Sequence, residues 1–242
     1  MATLFLLRHL KSQWNEDNRF AGWVDNPLSK EAHADAKEIA DKLINVHRAN
    51  IDVVYTSPLI RNTETVLRVF DNIVDKYPLF LHLDGGKMQK WSNFTDVSMN
   101  DVPVYISENL NERYYGKLQG LNKDEIIQKY GEKEIHDQRR GFLKKPPGGE
   151  SLKDVYKRAV PFYKRWVERD LAKGRNVLLV ASHNSLRAIV KYIENISDKK
   201  IADVELPFGA LMKYEFELKI SKNHFIPGGL QKKVQLVSKK YF

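Results

Sequence analysis

The chain of 242 residues contains no cysteine. It therefore has no disulfide bond, no thiolate metal ligand and no cysteine nucleophile. It also has no apolar run that approaches the ~20 residues a helix needs to span a bilayer. The N-terminal sequence MATLFLLRH lacks the basic leader and the small-residue cleavage site of a signal peptide. We therefore expect it to form a strand, and we expect a cytoplasmic protein.

Positive charge is in excess, since 40 Lys and Arg residues face 31 Asp and Glu residues and give a net charge of +9. Such a balance favours anionic partners, whether nucleic acid, acidic lipid or phosphorylated metabolites. The basic residues are dispersed, however, and short pairs such as Lys144-Lys145 and Lys232-Lys233 lack the interleaved aromatic residues of a nucleic-acid-binding surface. Charge alone therefore does not select the partner.

Strand-like and helix-like patterns alternate along the chain. Continuous apolar runs at Leu4–Leu7 and Val177–Ala181 are typical of buried parallel strands. Helical spacing follows Ser29, Pro58 and Ser151, which we expect to lie at helix starts, and a further helix is expected over Ser185–Glu194. With no linker or internal repeat, the pattern predicts one α/β domain over 1–242, a three-layer sandwich around a mainly parallel sheet.

One connection is unusually long. The excursion from about Asp71 to Pro103 contains LFLHLDGGKMQKW, two strand-like runs around Asp84-Gly85-Gly86, and predicts an inserted hairpin. Connections of roughly thirty residues in a compact domain are usually functional or mobile. The tail after Gly229 is basic with alternating apolar positions, which is consistent with either an edge strand or a loose terminus.

Two histidines stand at predicted strand ends. Arg8 and His9 follow the first strand, and His183 follows the strand that ends at Ala181 and precedes a helix. Ligands of open α/β sheets bind outside the carboxyl ends of the strands, where helix N-termini also attract anions. Either histidine alone is more simply an ordinary strand-end residue, but two that converge on one sheet edge indicate a site for a phosphoryl group.

The chemistry of such a site needs a nucleophile, cations and a proton donor. His9 suits the first role because a neutral imidazole has an unprotonated nitrogen at neutral pH. Arg8 and Arg61 can hold phosphoryl oxygens in bidentate geometry. Glu112 can protonate the leaving oxygen if burial or neighbouring carboxylates raise its pKa. No metal is required.

These residues lie in sequence blocks that resemble the histidine phosphatase superfamily, and more closely its cofactor-dependent phosphoglycerate mutases. The blocks are LLRHLKSQWN, NRFAGWVDNPLS, YTSPLIRNTET, LNERYYGKLQGLNK, QRRGF and NSLRAIVKYI, and they extend from Leu4 to about Ile196. LNERYYGKLQGLNK and QRRGF are specific to the mutase branch, whereas the Arg-His element marks only the superfamily. The resemblance implies a phosphoglycerate mutase-like fold.

The resemblance also implies roles for individual residues. His9 would carry the phosphoryl group, held by Arg8, Arg61 and His183, and Glu112 would donate and accept the proton. Substrate-binding residues would be Asn15, Ala21, Gly22, Arg113, Tyr115, Lys123, Arg139, Arg140 and Asn184. The implied reaction interconverts 3-phosphoglycerate and 2-phosphoglycerate after 2,3-bisphosphoglycerate primes His9, in a homodimer or tetramer, with no metal and with no nucleic acid or membrane as partner.

Three departures from the family pattern keep other functions open. Leu10 and Lys11 replace a glycine and an acidic residue or glutamine. Depending on whether a gap is allowed, Ser182 or His183 takes the place of the second histidine, and we favour His183. The segment 141–150 is short and could admit water to the phosphohistidine, unless the 71–103 excursion covers it. The alternatives are a phosphatase of a small phosphomonoester such as 2,3-bisphosphoglycerate, and a non-catalytic binder of a phospholigand or protein.

Overall fold

In a computed structural model, which describes residues 1–46, 50–92, 98–222 and 230–242, seven strands form one sheet. The order across the sheet is β3-β4-β2-β5-β1-β6-β7. The strands are β1 (Ala2–Arg8), β2 (Val53–Thr56), β3 (Tyr77–His82), β4 (Asp101–Ile106), β5 (Val177–Ala181), β6 (Leu211–Lys222) and β7 (Leu230–Tyr241).

The five strands from β3 to β1 are parallel, while β6 and β7 are antiparallel additions at one edge. In the central pair, Leu7 lies opposite Val180 and Arg8 opposite Ala181. The backbone N–H of His9 then donates to the carbonyl of Ala181 at 3.1 Å. This register brings the end of β1 beside the end of β5, where His183 follows.

Helices cover both faces of the sheet, so the predicted three-layer sandwich is confirmed. The helices are α1 (Gln13–Glu16), α2 (Ala32–Asp41), α3 (Ile60–Phe70), α4 (Gly86–Trp91), α5 (Lys123–Tyr130), α6 (Glu132–Arg140), α7 (Leu152–Phe162), α8 (Glu168–Leu171) and α9 (His183–Ile193). Along β1, Leu4 and Leu6 pack toward one face with α7 and α9, and Phe5 and Leu7 pack toward the other with α2 and α3.

Helix starts were predicted with mixed success. Ser151 caps α7 as expected, since its Oγ accepts from the N–H of Asp154 at 3.1 Å. The other predicted starts are wrong. Helix α2 has Glu31 and not Ser29 at its N-cap, and α3 begins at Ile60, so Pro58 lies before its first turn. Helix α9 begins at His183, two residues before Ser185. At α3 the N–H of Ile60 bonds the carboxylate of Asp25 at 2.8 Å, a cap from a distant loop that local sequence does not indicate.

The predicted hairpin within 71–103 is also wrong. Strand β3 pairs in parallel with β4, and the second strand-like run forms helix α4 instead. The carboxylate of Asp84 accepts from Ser107 Oγ and from the N–H of Glu108, both at 2.6 Å. These bonds tie the end of β3 to the end of β4 and favour a crossover over a tight turn. Residues 93–97 of the excursion lie outside the described residues.

Of the two possibilities for the basic tail, the structure shows the edge strand. Strand β7 pairs antiparallel with β6 from Met212–Tyr241 to Lys222–Leu230, with one irregularity at Glu215/Phe216. In the described part of the chain, no helix combines the length and apolar character that crossing a membrane demands.

Candidate active site

A cavity of about 280 Å³ opens at the carboxyl ends of β1, β2 and β5. Six of its lining side chains are Arg or Lys, and one, Glu112, is a carboxylate, so the cavity suits a ligand with several negative charges. A larger cavity of about 670 Å³ lies at the β3–β4 edge, but none of the predicted site residues lines it. The lining residues are Arg8, His9, Asn15, Asn18, Arg19, Phe20, Ala21, Gly22, Arg61, Glu112, Tyr115, Lys123, Arg139, Arg140, His183 and Phe208.

His9 is held as a neutral imidazole. Only 3% of the residue is exposed, and its Nδ1 lies 2.6 Å from the carbonyl of Leu10. Because a carbonyl only accepts, Nδ1 carries the proton and Nε2 keeps its lone pair. Burial, together with the positive charges of Arg61 and Arg8, lowers the pKa of His9 well below its ordinary value. The ring therefore stays nucleophilic even below neutral pH.

We expect the His9 ring to remain the neutral Nδ1–H tautomer as the pH falls through the range in which an ordinary histidine becomes protonated. A histidine in an unfolded peptide titrates near pH 6.5, and the lowered folded-state pKa shifts protonation to lower pH. Long-range ¹H–¹⁵N NMR of the imidazole nitrogens measures this directly, and a His9→Asn variant assigns the signals. Imidazolium shifts for His9 at pH 6 would contradict the burial argument.

The two residues after His9 do not disturb the cavity. The φ angle of Leu10 is not positive, so no glycine is needed there, and its side chain is fully buried in the apolar cluster under α2. The Leu10 N–H donates to Thr65 Oγ1 at 3.1 Å. Lys11 lies 3.6 Å from Glu16 in an ion pair outside the cavity lining.

Two arginines flank His9 in fixed orientations. Arg61 is buried and donates to the carbonyls of Val24 at 3.0 Å and Gly22 at 2.7 Å. The Arg8 guanidinium bonds the carbonyl of Leu206, and its carbon lies 3.6 Å from the ring centre of Phe208. Burial lowers the pKa of Arg8 to about 10, so the group is still charged at neutral pH. Both cations are preorganised for phosphoryl oxygens.

His183, and not Ser182, reaches the cavity. Because α9 begins at His183, this residue leaves the strand direction and lines the site, with Nε2 3.2 Å from Nη1 of Arg140. Ser182 is fully buried and its Oγ accepts from Asn62 at 3.1 Å. Burial lowers the pKa of His183 to about 3, so this ring is neutral as well.

The carboxylate of Glu112 is ionised, so the raised pKa that would make it a proton donor from the start is not found. Burial raises its pKa, but the Asn184 amide, the N–H of Arg113 and the charge of Arg61 lower it below its ordinary value. Oε1 accepts from that N–H at 2.6 Å and from Asn184 Nδ2 at 2.7 Å. Glu112 is thus placed to accept a proton before it donates one.

Two residues predicted to bind substrate lie behind the cavity wall. The fully buried Arg113 donates to the carbonyls of Gln138 and Arg139 and to Oδ1 of Asn184, each at 2.6 Å. Asn184 in turn bonds Glu112. Neither residue lines the cavity. They position Glu112 and the end of α6 instead.

Arg113→Met is expected to lower the free energy of unfolding by about 3 kcal/mol, because one buried and two partly buried acceptors lose a charged donor. Urea titration followed by circular dichroism measures the change. Arg169→Met, at an exposed position on α8, is the matched control and should alter stability by less than ~0.5 kcal/mol. A loss for Arg113→Met no larger than that of the control would refute the positioning role.

The other predicted binding residues do line the cavity: Asn15, Ala21, Gly22, Tyr115, Lys123, Arg139 and Arg140. Burial and the charge of Arg139 lower the pKa of Lys123 to about 8. Four lining residues were missed. Asn18, Arg19 and Phe20 stand in the block NRFAGW, from which only the following two residues were selected. Phe208 lies in no recognisable motif, so sequence gave no signal for it.

The idea that the 71–103 excursion covers the cavity is not supported. No described residue of this excursion, and none of segment 141–150, lines the cavity. Segment 141–150 packs instead on the turn that carries Tyr115, where the Lys117 N–H donates to the carbonyl of Pro147 at 2.9 Å. Gly116 permits this approach, since a Cβ there would lie 2.3 Å from the same oxygen.

The sequence profile described as histidine phosphatase superfamily (branch 1) matches residues 4–90 and 95–220. Relatives described as 2,3-bisphosphoglycerate-dependent phosphoglycerate mutase include one from Methanococcus vannielii, 42% identical over 220 residues that cover 90% of this chain and 92% of the relative. Another, from Gloeothece citriformis, is 39% identical over 222 residues that cover 90% and 95%.

Solved structures with the same fold are more distant in sequence. A mycobacterial glucosyl-3-phosphoglycerate phosphatase superposes with a TM-score of 0.67 at 19% identity, over 88% of this chain and 89% of the other. The alpha-ribazole phosphatase from Shigella flexneri gives a TM-score of 0.66 at 19% identity, over 89% and 91%. These similarities establish the fold of the sheet and its helices.

Proposed function

The chain belongs to the histidine phosphatase superfamily, and from that premise we propose that it interconverts 3-phosphoglycerate and 2-phosphoglycerate through a phosphohistidine at His9. One observation carries the proposal: a neutral histidine lies between two fixed arginines in a cationic cavity whose single lining carboxylate is ionised. That set supplies the nucleophile, the charge stabilisation and the proton acceptor for phosphoryl transfer.

The cavity residues fit 2,3-bisphosphoglycerate as the priming compound. It would supply the phosphoryl group that loads His9. Arg8 and Arg61 lie beside His9 for one phosphate, while Arg139 and Arg140 at the end of α6 are available for the other charged end of the ligand. Six cationic side chains against one carboxylate match a compound that carries two phosphates and a carboxylate.

The first half of the reaction starts from phosphorylated His9. Glu112 accepts the proton of the free hydroxyl of 3-phosphoglycerate, and that oxygen attacks the phosphorus. An O–P bond forms, the N–P bond breaks, and Nε2 of His9 recovers its lone pair. Arg8 and Arg61 stabilise the equatorial oxygens during the transfer. The ionised state of Glu112 suits this order of events.

The second half returns the other phosphoryl group. His9 Nε2 attacks its phosphorus, an N–P bond forms and the O–P bond breaks. The leaving oxygen takes back the proton that Glu112 holds, and 2-phosphoglycerate leaves. Proton and phosphoryl group balance over the cycle, and no metal or further reactant is consumed.

Hydrolysis is the second candidate. No residue of segment 141–150 lines the cavity, so this segment does not shield a phosphohistidine from water. An assay coupled through enolase, with and without 2,3-bisphosphoglycerate, separates the candidates. Turnover of 3-phosphoglycerate that depends on the bisphosphate supports the mutase. Release of inorganic phosphate without that turnover would contradict the proposal and indicate a phosphatase. The absence of both activities would indicate a non-catalytic binding protein.

The family resemblance extends the proposal to the class of ligand, the cellular location and the oligomeric state. The substrate is a small phosphorylated anion rather than nucleic acid or membrane, and the protein acts in the cytoplasm as a homodimer or tetramer. Sedimentation velocity on the purified full chain tests the assembly, and a monomer at micromolar concentration would contradict it.

A further inference from the structure

The carboxylate of Glu205, which is not among the predicted site residues, contacts two of them, Arg140 and His183. Glu205 lies between the 3₁₀ turn Lys200–Asp203 and β6. Its Oε1 forms an ion pair with Nη2 of Arg140, and its Oε2 lies 3.6 Å from Nε2 of His183. Arg140 also donates to His183 through Nη1 at 3.2 Å. The Arg140 guanidinium thus contacts both the Glu205 carboxylate and the His183 imidazole, which lines the cavity.

We propose that Glu205 is an internal competitor for the substrate anion. In the ligand-free protein it occupies the guanidinium of Arg140, and it must release this group before the substrate can bind there. Glu205 therefore sets the affinity of the site for anions without touching the reacting atoms. The proposal deepens the proposed function and rests on it, since it takes Arg140 as a substrate-binding residue.

The donor geometry supports competition. Arg140 directs Nη2 to Glu205 and Nη1 to His183, so both ends of its guanidinium are engaged before a ligand arrives. An incoming phosphate or carboxylate that makes a bidentate contact with Nη1 and Nη2 of Arg140 needs the N–H groups that now face His183 and Glu205. Such an anion and Glu205 therefore compete for this edge of the guanidinium.

Exposure shows that Glu205 can leave. The Glu205 side chain is 58% exposed, whereas that of Arg140 is 19% exposed, so it is the carboxylate that can be released into water with a small change in solvation. The contrasting pair Glu150–Arg158 is mostly buried, and Arg158 also bonds the backbone carbonyls of Asn111 and Glu112. The Glu150–Arg158 pair stabilises the fold, whereas the Glu205 carboxylate can be replaced on Arg140 by another anion.

The backbone around Glu205 is anchored, so only its side chain has to move. The carbonyl of Leu206 accepts from Arg8, and the Phe208 ring lies against the same guanidinium. The positive charge of the Arg140 guanidinium lowers the pKa of Glu205, so the competing carboxylate is ionised at neutral pH.

The test is binding of inorganic phosphate and of 3-phosphoglycerate to the full chain, measured by titration calorimetry at neutral pH. Glu205→Gln keeps the side-chain size and removes the charge. We expect association constants about three- to fivefold higher than in the unchanged protein, as loss of an exposed competing ion pair allows. In steady-state assays KM should fall by the same factor while kcat stays within twofold.

Asp203→Asn is the matched control, because this exposed carboxylate lies two residues earlier and has no ion pair in the described part of the chain. It should change neither association constant. An unchanged or lower affinity for Glu205→Gln, or an equal gain in both variants, would overturn the proposal. The binding readout is independent of turnover: stronger phosphate binding in a protein without mutase activity would support the role of Glu205 while refuting the proposed reaction.

Discussion

Replacement of His9 by asparagine is expected to lower mutase turnover by on the order of 10⁵-fold, the scale of loss when an enzyme loses its covalent nucleophile. The amide of asparagine can still donate toward the carbonyl of Leu10, as Nδ1 does now, but its nitrogen lone pair is delocalised and cannot attack phosphorus. The loss therefore reports the chemistry of Nε2 and not a collapse of the cavity wall. The enolase-coupled assay measures it.

The control for this variant is His33→Asn, which removes an exposed histidine on α2 far from the cavity lining. It should retain full turnover. Thermal unfolding of both variants checks that each is folded. If His9→Asn is folded and keeps more than about a hundredth of the turnover, His9 is not the phosphoryl carrier.

Glu112→Gln is expected to lower kcat by about 10² to 10⁴, the usual contribution of a general acid–base, with little change in KM. The glutamine oxygen can keep the bond from the Arg113 N–H, so the local structure survives while the proton acceptor is lost. Glu108→Gln, which changes an exposed carboxylate on the same loop, is the matched control and should keep full activity.

A second measurement separates proton transfer from nucleophilic attack in this variant. Nitrophenolate is a stable anion and leaves without a proton donor, so phosphorylation of His9 by para-nitrophenyl phosphate should stay within a few-fold of the unchanged protein. The initial burst of released nitrophenolate measures this phosphorylation step. A kcat for 3-phosphoglycerate within threefold of normal in Glu112→Gln would remove this residue from the proton-transfer role.

The sequence was most informative where local pattern and topology act together. The buried strands that precede His9 and His183 are continuous apolar runs, and parallel pairing places their carboxyl ends side by side. The convergence of the two histidines could therefore be predicted. The choice between Ser182 and His183 was harder, because it depended on where α9 begins, and helix boundaries shift by a residue or two with tertiary context.

Features set by long-range contacts could not be predicted in this way. The run after β3 became a crossover because Asp84 bonds the end of β4, a contact that local turn signals do not contain. The pKa of Glu112 is a balance of burial against donors from α9 and its own loop, so its direction needs coordinates. Phe208 and Glu205 reach the cavity region only through the packing of the segment before β6.

The most direct test of the account uses 2,3-bisphosphoglycerate labelled with ³²P. After brief incubation with the full chain, acid-labile label should be found on the peptide that contains His9, and a chase with unlabelled 3-phosphoglycerate should move that label into phosphoglycerates. Absence of label from His9, or its release only as inorganic phosphate during the chase, would contradict a mutase that works through this histidine.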